Sequence, residues 1–176
     1  RELKQFSAGF SAKFGSKFEE ERIPTLEETL DLVMEKSDKS LLIEIKSHAD
    51  DPEYRGRVGG IVYRAVMAHH AGHKGRVALI SFDTQILEKI REIDSEITMA
   101  PIFREMPAQG SPADQAVRLG TDLVIVSKHL LDQPQALQKT DRVRHFAYTV
   151  LPEEFERFNR IEGLTGYATD FADRVK

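Results

Sequence analysis

The sequence predicts an α/β fold of parallel strands joined by helical crossovers. Three observations carry that reading. Strand-like and helix-like segments alternate strictly along the chain, the pattern of repeated βα units. Runs such as "DLVIVS" (122–127) are apolar on both faces, as strands covered on both sides must be. No linker, low-complexity stretch or repeat interrupts the series, so residues 1–176 are read as one domain.

The elements follow in order. "IPTLEETLDLVMEK" (23–36) reads as a helix: Thr25 caps the first turn, Glu28 bonds back in a capping box, and Leu26, Leu30 and Val33 form an apolar stripe. "LLIEIK" (41–46) is a strand. "GRVGGIVYRAVMAHH" (56–70) is a helix with Ile61, Val62, Ala65 and Val66 on one side. "RVALISF" (76–82) is the next strand, and "DTQILEKIREID" (83–94) a short helix turning Ile86, Leu87 and Ile90 inward. "ITMAPIF" (97–103) is a strand, and "SPADQAVRLG" (111–120) a helix that Gly120 closes. After "DLVIVS", "QPQALQKT" (133–140) is a short helix and "RHFAYTV" (144–150) a strand. "PEEFERFNRIEG" (152–163) is a helix with Pro152 in its first turn, and "GYATDF" (166–171) a last short strand.

Six parallel strands fit two architectures, an open doubly wound sheet or a TIM barrel. An open sheet usually carries a Gly-rich phosphate turn after a strand; the chain has neither G-x-G-x-x-G nor a Walker motif. A barrel has eight strands and typically about 250 residues. This chain shows six in 176 residues.

Composition narrows the function classes. A net charge of −4 argues against a nucleic-acid footprint, which is basic. No apolar stretch approaches the roughly 20 residues of a membrane span. There is no cysteine, so disulfides and thiolate metal sites are excluded. The first residue is Arg, and the opening stretch reads like the inside of a domain. The balance slightly favours a cytoplasmic location and leaves export open.

"LLIEIK" poses the chemical question. Leu42, Glu44 and Lys46 share one face of the strand; Leu41, Ile43 and Ile45 share the other. If Leu42 faces a barrel lumen, so do Glu44 and Lys46, at the strand's C-terminal end, where barrel enzymes place their chemistry. A carboxylate there needs a metal ion or an ammonium group beside it. The alternative is an edge strand with the two side chains paired in water.

"ERIPTLEETLDLV" followed by "LLIEIK" resembles the glycerophosphodiester phosphodiesterase family. In that family an "IPTLEE" helix precedes a strand whose Glu binds the metal and whose Lys adjoins the substrate phosphate. "LISFD" resembles the family's Ser-Phe strand end, "AYTVLPEEFERF" its "WTVN" strand and following helix, and "GYATDFADRV" its closing "ITDYPD" segment. The likeness runs over essentially the whole chain in the right order. Tyr148 stands where the family usually has Trp, Leu151 where it has Asn, and Ala172 where it has Pro. Family members begin with a "HRG" strand, an "ENT" segment, an "ELD" strand and a "HD" pair, which supply both catalytic histidines and the other metal carboxylates. None of these is in the chain.

The resemblance implies an incomplete TIM (β/α)8-type barrel lacking its first two strands, with two unpaired strand edges that invite aggregation. It implies metal-dependent hydrolysis of small glycerophosphodiesters, such as glycerophosphocholine, to an alcohol and glycerol 3-phosphate, in lipid metabolism. Glu44 is the implied ligand of a divalent cation, Ca²⁺ or Mg²⁺, and Lys46 the implied phosphate contact. No catalytic residue is assigned, because the family's histidines are not matched, and the chain alone is expected to be inactive. Phe82 either lines the cleft for the alcohol or simply packs in the core. The Tyr148 hydroxyl can reach a substrate oxygen. Ser81 reads as support.

The histidines of the chain offer less. His69, His70 and His73 end a helix, where cations complement the dipole. His48 follows close on Lys46 but matches no family histidine, His129 in "SKHLL" can approach the cleft, and His145 opens a strand at the opposite, stability face. Asp170 reads as loop support. Two rival readings remain: a phospholipase D-type barrel acting on intact lipids, which needs an exposed apolar loop that the sequence does not make obvious, and a non-catalytic binding remnant.

Overall fold

The computed structural model describes residues 2–47, 51–70, 75–138, 140 and 142–175. Among them lie six strands: β1 (Leu41–Glu44), β2 (Val77–Ser81), β3 (Met99–Phe103), β4 (Leu123–Ser127), β5 (Arg144–Tyr148) and β6 (Leu164–Tyr167). They form one sheet in chain order, every neighbouring pair parallel, curled into a half-barrel. The incomplete barrel expected from the sequence is therefore the observed fold.

Strand alternation divides the residues between two faces. On the inner face Ile80, Ala100, Ile102, Leu123 and Ile125 pack together, with Phe146 and Tyr148 against them. On the outer face Leu79 and Met99 meet the helices through Leu30, Met34, Val66, Ile86, Leu87 and Ile90, while Val124 and Val126 meet Ala113 and Ala116. All five residues of β2 and of β4 are buried, as strands covered on both sides should be. β1 is different: Leu41 and Ile43 are half-buried outward, but Leu42 and Glu44 are exposed on the inner face.

Helix starts follow the sequence closely. α1 (Ser11–Phe14) is a single turn. α2 (Leu26–Lys36) begins with the expected capping box: Glu28 N–H donates to Thr25 Oγ1 at 3.2 Å, and Thr25 N–H to Glu28 Oε2 at 2.8 Å. Two orphan donors of the first turn are satisfied reciprocally. α4 (Thr84–Ile93) buries Ile86, Leu87 and Ile90 completely. α5 (Pro112–Arg118) has a second box from Ser111 and Asp114, and Gly120 closes its end at φ +66°, a left-handed position that glycine takes without strain.

Three expectations need correction. In α3 (Pro52–His70) Ile61 points to solvent, 52% exposed. Val62 and Val66 do pack inward as expected, joined by Val58, and Gly59 lies where α3 meets α4; a Cβ there would lie 3.2 Å from Ile86. The helix after Pro152 is brief, a 3₁₀ turn (Pro152–Glu154) and then α6 (Phe155–Phe158). β6 starts at Leu164, two residues before the expected Gly166, and Gly166 lies inside it against the Phe146 ring, with only 2.9 Å left for a Cβ. The segment at 133–140 contains a 3₁₀ turn (Pro134–Leu137).

Among the described residues the outer edges of β1 and β6 carry no strand partner within the sheet. Near the N-terminus Leu3, Phe6, Phe10 and Phe14 are exposed, an apolar row that the sequence reading did not single out. Among the described residues no helix is long and apolar enough to cross a membrane.

Candidate functional site

The half-barrel is open at the C-terminal ends of its strands, where a cleft of about 660 Å³ is lined by Glu44, Ile45, Lys46, Ser47, Ser81, Phe82, Arg104 and Tyr148. The two-residue strand period explains the set. Leu42 and Glu44 lie inward beside Ala78 and Ile80, and Lys46 follows in the same phase. Phe82 continues the phase of Ile80, Arg104 that of Ile102, and Tyr148 that of Phe146. Each is the last inward residue at its strand's end.

Contacts across the strands hold the aromatic part. Phe82 meets Tyr148 edge to face, ring centroids 5.8 Å apart, and the Arg104 guanidinium sits over the Phe82 ring at 5.3 Å. The Tyr148 hydroxyl donates to the Phe103 carbonyl at 3.4 Å, a long bond. Burial pushes the Tyr148 phenol above its ordinary range; hydrogen bonding to Arg104 partly offsets this, and the nearby Glu44 charge adds to it. At neutral pH the phenol therefore stays protonated and can donate.

Ser81 is fully buried. Its hydroxyl donates to the Ile45 carbonyl at 2.7 Å and accepts from Asp83 N–H at 3.0 Å, so it ties β1 to the turn after β2. That turn is further held by Asp83, which caps α4 and takes a 2.6 Å ion pair from Arg55. On the opposite flank Lys128 Nζ lies 2.6 Å from Glu154 Oε2, and Glu154 also accepts from Leu151 N–H at 2.8 Å. The Lys128 hydrogen bond, with the Leu151 bond second, holds the Glu154 carboxyl below its usual range. The pair fastens the segment that follows Tyr148.

The four residues singled out in the sequence, Glu44, Lys46, Phe82 and Tyr148, share this cleft. Phe82 is 41% exposed and lines the cleft. Arg104 was missed, although the alternation that put Glu44 and Lys46 on one face applies equally to Ala100, Ile102 and Arg104 in "APIFR". His129 is exposed and His145 buried, and neither lines the cleft. His69 lies 3.8 Å from Asp31 across α2 and α3. Asp170 is exposed and outside the cleft. His48 and His73 fall outside the described residues.

Among the described residues no group of three or more His, Cys, Asp or Glu is placed to hold a metal ion, and Glu44 is the one carboxylate lining the cleft. Ca²⁺ and Mg²⁺ take about six oxygen ligands. The described residues therefore do not fit such an ion by themselves. One carboxylate against Lys46 and Arg104 leaves the lining with a surplus of positive charge, an environment that suits an anion.

Fold and site together define a barrel-type α/β protein with an open cleft at the strand C-termini, lined by Glu44, Lys46 and Arg104 and flanked by the Phe82 and Tyr148 rings. The chain belongs to the glycerophosphoryl diester phosphodiesterase family, whose sequence model matches residues 1–174. Solved structures agree on the fold. A glycerophosphodiester phosphodiesterase from Parabacteroides distasonis superposes with a TM-score of 0.76 at 21% identity, over 98% of this chain and 66% of its own. A phosphodiesterase from Oleispira antarctica, in complex with the product sn-glycerol-3-phosphate, gives 0.76 at 19% identity, over 97% of this chain and 66% of its own. A glycerophosphodiester phosphodiesterase from Agrobacterium tumefaciens gives 0.67 at 14% identity, over 98% and 68%. The chain thus spans less than two thirds of the length of the first two. No curated protein sequence matches it significantly.

Proposed function

We propose that the cleft is the substrate site of a phosphodiesterase that hydrolyses glycerophosphodiesters to an alcohol and sn-glycerol 3-phosphate, a step of lipid metabolism. The observation that carries this reading is the convergence of Lys46, Arg104, Phe82 and Tyr148 on one open cleft, in a chain of this family. Lys46 supplies a compact charge for the phosphodiester anion. The Phe82–Tyr148 pair offers a wall for the alcohol, and the protonated Tyr148 hydroxyl a donor.

Metal dependence belongs to the same reading: Glu44 would be one oxygen ligand of a Ca²⁺ or Mg²⁺ ion whose remaining ligands come from outside the described residues. Hydrolysis also needs a proton acceptor and donor within hydrogen-bond reach of the phosphodiester. Of the histidines His69, His129 and His145, none lines the cleft. Because the chain has none of the motifs that carry the family's histidines, residues 1–176 alone are expected to bind sn-glycerol 3-phosphate but to release none from glycerophosphocholine with added Ca²⁺ or Mg²⁺. Metal-dependent release by this chain would show that the catalytic groups are misplaced here; failure to bind sn-glycerol 3-phosphate would remove the substrate reading.

One observation favours a second reading, action on intact lipids. Leu3, Phe6 and Phe10 are each more than 60% exposed, and Lys13 and Lys17 lie over the Phe14 and Phe18 rings at 5.1 and 4.9 Å. Apolar rings with interleaved lysines suit a lipid surface. Cosedimentation of the chain with anionic phospholipid vesicles, lost in Phe6→Ser/Phe10→Ser, would support it; no cosedimentation would discard it.

A further inference from the structure

One aromatic face that would attract a cationic head group already carries a cation. A quaternary ammonium binds best over an open aromatic ring, and Phe82 is the exposed ring of this cleft. One of its faces carries the Arg104 guanidinium at 5.3 Å, and the Tyr148 ring stands nearly perpendicular to it, centroids 5.8 Å apart. A cationic alcohol entering here meets the like charges of Arg104 and Lys46. Among the described residues Glu44 is the one lining group that would draw it in, and Lys46, two residues on along the same face, offsets that pull. A hydroxyl-rich or anionic alcohol meets the opposite situation: the guanidinium offers a planar fork of N–H donors, and its stacking on Phe82 holds that fork in place.

We propose that Arg104 is a specificity-determining residue of this cleft, selecting glycerophosphodiesters whose alcohol carries no positive charge and disfavouring those whose alcohol is a quaternary ammonium. The inference rests on the glycerophosphodiester reading above and narrows it. Arg104 is exposed and Glu105, its neighbour, does not line the cleft, so its replacement changes the charge of the site without opening the core.

Titration calorimetry of the 176-residue chain tests it, with sn-glycerol 3-phosphate, glycerophosphoinositol and glycerophosphocholine as ligands. In the unaltered chain the inositol ester should bind about tenfold more tightly than the choline ester, the scale of one partly screened charge contact. Arg104→Ala and Arg104→Gln should each bring the ratio close to one, with the choline ester gaining. Equal binding of the two esters by the unaltered chain, or a preference that both variants keep, overturns the role of Arg104 while sn-glycerol 3-phosphate binding leaves the wider reading standing. Failure of all three ligands to bind overturns both.

Discussion

The two ends of the half-barrel lumen are built from the same strands and differ in nearly every chemical property. At the C-terminal ends the inward residues are Glu44, Lys46, Phe82, Arg104 and Tyr148, open to solvent in a charged cleft. At the N-terminal ends the inward residues Leu42, Ala78, Leu123, Ile125 and Phe146 line an apolar hollow of about 450 Å³. Its two arginines are spoken for: Arg76 donates to carbonyls at the end of α2, Ser37 O and Lys39 O both at 2.7 Å, and Arg144 pairs with Asp122 at 3.0 Å. The difference shows that alternation places a residue on the lumen side, but its position along the strand decides whether it packs or reacts.

The largest effect should come from the apolar end. Ile125→Ala removes a nearly buried side chain from the inner cluster, and unfolding by urea should show a loss of about 2–4 kcal/mol, with sn-glycerol 3-phosphate affinity retained while the chain is folded. Equal loss of binding would mean that the two ends are not separable. Lys46→Ala, at the charged end, should do the reverse. It leaves stability within about 0.5 kcal/mol and weakens sn-glycerol 3-phosphate binding by about tenfold, as for a charge-assisted phosphate contact; unchanged affinity in calorimetry would make Lys46 only the counter-charge of Glu44.

The smallest effect sharpens the assignment of the N-terminal end to stability. His145 is the second residue of β5, on the outer side, and is 2% exposed, with Nε2 lacking a hydrogen-bond partner among the described residues. Burial lowers its imidazole from 6.5, and a bond to the Val143 backbone only partly restores it. A group depressed in the folded state is protonated more readily in the unfolded chain, so its contribution is present above about pH 6.5 and lost as the pH falls through the lowered value. Urea midpoints measured from pH 7 to pH 5 should fall in the unaltered chain and fall less in His145→Asn. Parallel slopes would show that His145 does not titrate on unfolding.

Much of this was legible in the sequence. The strands at 41, 77 and 123, the Thr25–Glu28 cap and the buried Ile86, Leu87 and Ile90 follow from local rules of period and capping, which tertiary context did not override. The shared face of Glu44 and Lys46 follows from the same period. Arg104 obeyed that rule too and was passed over because the flanking "APIF" reads as core rather than as chemistry. The exposed Leu3, Phe6 and Phe10 were hidden for another reason: composition says that a residue is apolar, not whether anything covers it.

By itself the sequence determined the parallel α/β class, the family, and the shared face of Glu44 and Lys46 at the end of β1, because strand period, caps and short motifs are encoded within a few residues of one another. Only the tertiary structure decided that Phe82 meets Tyr148, that Arg104 lies over Phe82, that Ile61 turns outward where Gly59 lets α3 approach α4, and that Gly166 sits inside β6 against Phe146. Each of those depends on side chains from different strands or helices meeting across the curl of the sheet, and no local pattern in the chain specifies such a distance.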